Sequence, residues 1–169
     1  MNFAYCLAQL SHNAKKIQHL VAMVSPEQAT WKPDNESWSV LEVVHHLYDE
    51  EQFDFRVRLD FILHKPDQPW PKIDPQGWVL GRAYNQQKLP DILTRFLAER
   101  ANSLEWLAGL SGANWETSYV APFGPIRTGD MLAAWVGHDL LHIRQLIELE
   151  WYYTGHNLTG FSTRYAGPW

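Results

Sequence analysis

Cysteine is nearly absent from this chain of 169 residues: the one thiol, Cys6, excludes an internal disulfide framework and any cysteine-rich zinc site. No apolar run approaches the roughly 18–20 residues needed to cross a bilayer. Positive charge is short as well. Fourteen Lys and Arg stand against 19 Asp and Glu, a net charge of −5 with no basic cluster, which removes the electrostatic footprint of a DNA- or RNA-binding protein. A phosphate-binding glycine loop, a G-x-S-x-G nucleophile elbow and a dinucleotide fingerprint are all missing. The start, Met1-Asn-Phe-Ala-Tyr5, has neither a basic n-region nor an apolar h-region. The expected location is the cytoplasm, with neither membrane nor nucleic acid among the expected partners. Strand signal is weak and internal repeats are absent.

What is present is helix. Hydrophobic residues make up 46% of the chain and charged residues 20%, ordinary for a folded globular protein, and the length fits one domain over residues 1–169. Phe3, Leu7, Leu10, Ala14, Ile17 and Val21 recur every three or four residues and predict a first helix from about Phe3 to Met23. Ser25-Pro26-Glu27-Gln28 reads as a short capped turn. A second helix should start at Ser39, with Glu42 completing a capping box, and continue to about His64, where Lys65-Pro66 stops it. On its wheel His46 lies at the edge of the apolar arc with Glu50, whereas His45 falls with Asp49 and Arg56 on the polar side. Glu51 lies within the apolar arc and needs a partner such as an arginine, a tyrosine or a backbone group.

Four prolines between Lys65 and Gly77 predict a long extended connection, of the kind that crosses over a bundle or covers a site. A third helix spans roughly Leu89 to Leu110. Tyr119-Val120, followed by Pro122, Gly124 and Pro125, predicts a loop or small ribbon. Thr128 or Asp130 should cap a fourth helix that ends near Tyr153, with Gly155 beyond it. Four long amphipathic segments define an all-α four-helix bundle, and two long links favour crossover connections. Flat helix faces of this kind are compatible with a homodimer.

The fourth helix carries the chemistry. Met131, His138, His142, Gln145 and Leu149 fall within about 40° of one another on its wheel, so two imidazoles one turn apart point into a core. A buried imidazole without a partner costs on the order of 1–3 kcal/mol. A shared divalent metal satisfies both rings, since i, i+4 spacing lets them reach one ion. Hydrogen bonding within the bundle is the alternative. With His46 the pair makes a three-histidine set suited to zinc, nickel, iron or copper, and three protein ligands leave a position open. Asp139 stands where a metalloprotease HExxH helix has its glutamate, which disfavours peptidase activity. Glu50, one turn after His46, is the candidate base.

Two stretches carry a resemblance to a known family. Trp38-Ser-Val-Leu-Glu-Val-Val-His-His46-Leu-Tyr-Asp-Glu-Glu51 is similar to the W-S-x-x-E-x-x-x-H-L-x-x-x-E pattern of the DinB superfamily, and Gly137-His138-Asp-Leu-Leu-His142-Ile-Arg-Gln145 resembles its H-x-x-x-H element. The resemblance spans nearly the whole chain. It implies an up-up-down-down four-helix bundle and a divalent metal, zinc or nickel first, held by His46, His138 and His142. It also implies a small-molecule enzyme, foremost an S-transferase using a low-molecular-weight thiol such as bacillithiol or mycothiol. A metal-dependent hydrolase and a non-catalytic binding or stress-response module are the alternatives.

Overall fold

Local signals and core packing together set the helix boundaries in the computed structural model, which describes residues 1–169. Helix α1 runs Phe3–Val21, capped by the Asn2 side chain, and the short α2 covers Pro26–Thr30 behind the Ser25 cap. Helix α3, Val40–Phe53, opens with the expected capping box. The Ser39 hydroxyl accepts from Glu42 N–H at 3.1 Å, and Ser39 N–H donates to the Glu42 carboxylate at 2.8 Å.

The second expected helix is not continuous. Asp54 adopts φ −116°, ψ −91°, outside the helical region, and divides it into α3 and α4, Phe55–His64. Beyond the break Phe55 stacks on Trp135 at 5.7 Å and lies 4.9 Å from the His138 ring.

The connection after His64 also differs from a purely extended one. It contains α5, Pro75–Gly81, capped by Asp74, then a 3-10 turn at Tyr84–Gln86. Tyr84 is fully buried; its hydroxyl donates to Asp49, and its ring stacks on His45 at 3.9 Å. Arg82 reaches the same Asp49 at 2.8 Å. This connection covers the side of α3 that the wheel left to solvent. Eleven of the fourteen α3 residues are therefore buried, His45 and Asp49 among them, which corrects their placement on a polar face.

Helix α6 spans Leu89–Ala108 and ends at Gly109. The expected ribbon is a hairpin, β1 Ser118–Ala121 antiparallel to β2 Gly124–Arg127, with Ser118 opposite Arg127. Gly124 has φ +122°, a conformation that favours glycine at the tip. The hairpin runs straight into α7, Thr128–Asn157, so its N-cap is Arg127 rather than Thr128 or Asp130. Asp130 accepts from Arg127 N–H at 3.1 Å, and the Thr128 hydroxyl donates to the Thr117 carbonyl. The helix continues through Gly155; Trp31 packs on its last turn at His156, 5.4 Å away.

The bundle consists of α1, the α3–α4 pair, α6 and α7. One end of the core gathers Ile17 and Val21, Val43 and Leu47, Ile92 and Phe96, and Leu146 and Leu149. The other gathers Cys6 and Leu10, Phe55 and Ile62, Leu107, and Met131 and Trp135. Helices α1 and α7 therefore run one way, and α3–α4 and α6 the other. The all-α bundle with a crossover stands, but in chain order its directions are up, down, down, up. The link through α2 joins helix ends at one end of the bundle, and residues 65–88 return along its length. No helix is long and apolar enough to cross a membrane.

Between the two halves of the core lies Arg100, 2% exposed. Its guanidinium donates to both oxygens of Glu51 (2.8 and 2.9 Å), both oxygens of Asp139 (2.8 Å each) and the Leu10 carbonyl (2.9 Å). All five N–H donors are used. The Trp135 indole adds a bond to Glu51 at 3.1 Å. Glu51 thus has the arginine partner its position required. Arg100 and Asp139 themselves carry no periodic signal that marks them as a pair.

Candidate metal centre

Three imidazoles meet where α3 faces α7. The Nε2 atoms of His46 and His138 are 3.3 Å apart and those of His138 and His142 are 3.1 Å apart, with all three ligand nitrogens inside 4.8 Å. A tetrahedral ion at about 2.0–2.1 Å from each nitrogen separates its ligands by about 3.3 Å, so two spacings already match. The arrangement follows from local structure. The uninterrupted α7 places His138 and His142 on one face, and the Ser39 cap sets the phase that turns His46 towards them. His45 is not in the group: its ring lies against Tyr84, with Nδ1 3.8 Å from Asp49. His12, His19, His64 and His156 are exposed.

The electrostatics favour an ion over a proton. Burial pushes His46 down to about 3 and His138 down to about 2, with the neighbouring histidines adding to both shifts. His142 is also lowered, mainly by burial, against an opposing hydrogen bond from Gln145. The Gln145 Oε1 lies 2.8 Å from His142 Nδ1; accepting the Nδ1 proton leaves Nε2 free as a lone pair aimed inward. Three neutral nitrogens facing one point, in a setting that resists protonation, are the donor set of a borderline divalent cation. The residues fit a divalent metal.

Glu50 stands behind this centre. Its carboxylate is buried and lies 3.9 Å from Nδ1 of His46, the nitrogen opposite the one that faces the other histidines. Neither His46 Nδ1 nor Glu50 Oε1 has a hydrogen-bond partner. Burial, reinforced by Asp54, raises the Glu50 carboxyl to about 9.

The open side faces a cleft of about 510 Å³ whose walls include Trp38, His46, His142, Gln145, Glu148 and Tyr152. Trp38 packs on His46 at 4.9 Å and stacks parallel to His142 at 6.4 Å. Trp38 stands directly before the Ser39 cap and eight residues ahead of His46.

These shifts predict acid sensitivity of the metal-stripped protein. The ordinary imidazole value is 6.5, so below that pH the unfolded chain binds protons that folded His46 and His138 refuse. Their contribution is complete above pH 6.5 and drains, by up to about 1.4 kcal/mol per pH unit each, as pH falls towards 3. Glu50 acts oppositely between 4.5 and 9, because its folded form stays protonated while the unfolded one ionises. Urea unfolding in chelator should therefore show a net loss on the order of 2 kcal/mol from pH 6.5 to 4.5. Saturating zinc should add stability at neutral pH, about 2.7 kcal/mol at a hundredfold excess over Kd, and that increment should shrink on acidification. Superimposable curves with zinc and with chelator at pH 7.5 would contradict the site.

A crossover four-helix bundle with a three-histidine centre, His46 buried and His138 and His142 half-buried, open to a cleft defines a metal-competent helical protein. The chain belongs to the DinB superfamily, whose sequence model matches residues 9–146. Among solved structures it is similar to YfiT from Bacillus subtilis, described as a probable metal-dependent hydrolase with an unusual four-helix bundle topology. The identity is 19%, the TM-score is 0.77, and the match covers 87% of this chain and 85% of that one. None of the curated proteins compared with the chain matches it.

Proposed function

We propose that the protein is a metal-dependent hydrolase of a small molecule, with His46, His138 and His142 as the metal ligands. The observation that carries the reading is the convergence of three ring nitrogens beside an open cleft, which leaves coordination positions free for a reacting group. The likeness to YfiT, itself described as a probable metal-dependent hydrolase, supports it. A bound divalent ion supplies Lewis-acid chemistry there. Gln145 holds the tautomer of His142, and Trp38 shields the two outer rings from solvent.

Glu50 serves in this reading as a positioning residue rather than the base. It stands on the Nδ1 side of His46, where the carbonyl oxygen of its neutral carboxyl group can orient a ligating imidazole. Glu50→Ala should weaken zinc binding about 10–100-fold, whereas Glu50→Gln, which can still accept from Nδ1–H, should recover most of that affinity. Titration with a competing chromophoric chelator reads both. Normal zinc affinity in Glu50→Ala, with turnover reduced 10²–10⁴-fold in Glu50→Gln, would restore the base assignment.

The S-transferase reading uses the same three ligands and differs in requiring a thiol. The deciding experiment offers small esters, amides and epoxides to the zinc- or nickel-loaded protein, with and without a low-molecular-weight thiol. Chelator-sensitive turnover without thiol supports the hydrolase. Turnover only with thiol transfers the assignment, and none in either arm leaves a non-catalytic binding module. The homodimer remains part of the proposal: α7 exposes Leu140, Leu141 and Ile147, and sedimentation velocity reads the state directly.

A further inference from the structure

Charge is distributed unevenly around the cleft. Its walls carry two carboxylates, Glu36 from the loop before α3 and Glu148 from α7, and no lysine or arginine. Arg144 approaches Glu148 from outside at 3.5 Å, but its side chain is 70% exposed, and a pair of that kind barely neutralises its partner. Two aromatic rings, Trp38 and Tyr152, line the same space and offer π faces to a cation. The histidine side of the cleft is different in kind. There His46, 5% exposed, and His142 turn their Nε2 atoms towards Nε2 of His138. Glu148 lies six residues beyond His142 on α7, about 9 Å along the axis at 1.5 Å per residue.

We infer that this cleft selects small molecules with a cationic, amine-bearing tail, Glu36 and Glu148 receiving the cation while the opposite end of the molecule meets the three-histidine centre. The inference rests on the metal reading above and adds the substrate class to it. A molecule with an anionic tail meets two carboxylates with no compensating base. A neutral one gains only contact with the rings. Glu36 and Glu148 are thus specificity-determining residues that touch neither the metal nor the reacting end.

The test uses the zinc-loaded protein and three imidazoles that reach the ion through one ring nitrogen and differ in tail charge. They are 1-(3-aminopropyl)imidazole, its uncharged analogue 1-butylimidazole, and 3-(imidazol-1-yl)propanoate, with Kd measured by calorimetry at low ionic strength. The aminopropyl compound should bind roughly three- to tenfold more tightly than the butyl compound, and the propanoate more weakly than both. In the double variant Glu36→Gln/Glu148→Gln the three affinities should converge, with butylimidazole and zinc binding unchanged. Added salt should narrow the preference in the parent protein. Equal affinities in the parent, or a preference that survives the double variant, would overturn the inference and leave the metal site standing. Failure of all three imidazoles to bind a protein shown to hold zinc would overturn it together with the open coordination position.

Discussion

Replacing Arg100 with alanine is expected to destabilise the protein by about 3–5 kcal/mol, the largest effect of any single substitution considered. The side chain is 2% exposed and satisfies Glu51, Asp139 and the Leu10 carbonyl with all five donors. Its removal leaves two buried carboxylates near each other without a counter-charge, along with a cavity between the halves of the core. Because marginal domains have about 5–15 kcal/mol in total, about a fifth or more of the stability is at stake. Arg100→Lys should recover only part of it, since one ammonium cannot form two bidentate contacts and a carbonyl bond together. Urea unfolding at pH 7 measures both variants. A loss below about 1 kcal/mol for Arg100→Ala would mean that the carboxylates find other partners or take up protons at little cost.

The second large effect is chemical. His142→Ala should abolish stoichiometric metal retention and reduce any turnover to background, because only His46 and His138 remain as protein ligands. The loss of metal affinity should exceed the 10–100-fold typical of removing an outer partner. Folding should persist. In chelator, His142→Ala should unfold close to the parent, since a bundle with this core does not depend on its ion as a zinc finger does. Elemental analysis of protein purified without a histidine tag reads the metal, and circular dichroism reads the fold. His45→Ala is the matched control, with its ring against Tyr84, and should keep the metal. Retention of full metal by His142→Ala, or its loss from His45→Ala, would refute the ligand set.

Much of the scaffold could be read from residues alone because its determinants are local. Ser39 and Glu42 satisfy each other's backbone donors three residues apart, so the start of α3 needs no tertiary help. That cap sets the helical phase, and the phase turns His46 inward. Likewise i, i+4 spacing on an unbroken α7 places His138 and His142 on one face wherever the helix packs. The burial of Glu51 followed from its position in an apolar arc, and its need for a partner followed from the cost of an unpaired buried carboxylate.

Other features depended on contacts between distant segments. The wheel of α3 assigned His45 and Asp49 to solvent, because a wheel knows only one helix; the return of residues 65–88, bringing Arg82 and Tyr84, made that face a second interior. The break at Asp54 has no proline or glycine to announce it. The order of helix directions was likewise undetermined by length or periodicity, since amphipathic stripes pack in either sense and only the paths of the connections decide. Arg100 meets Glu51 and Asp139 across 49 and 39 residues of chain, and no spacing rule relates them. The sequence by itself determined the helices, their apolar faces and three inward imidazoles, because each follows from neighbours within a few turns. Only the tertiary structure decided which way the helices run, where the arginine finds its partners and what lines the cleft, because those depend on separations in space that the chain closes only when folded.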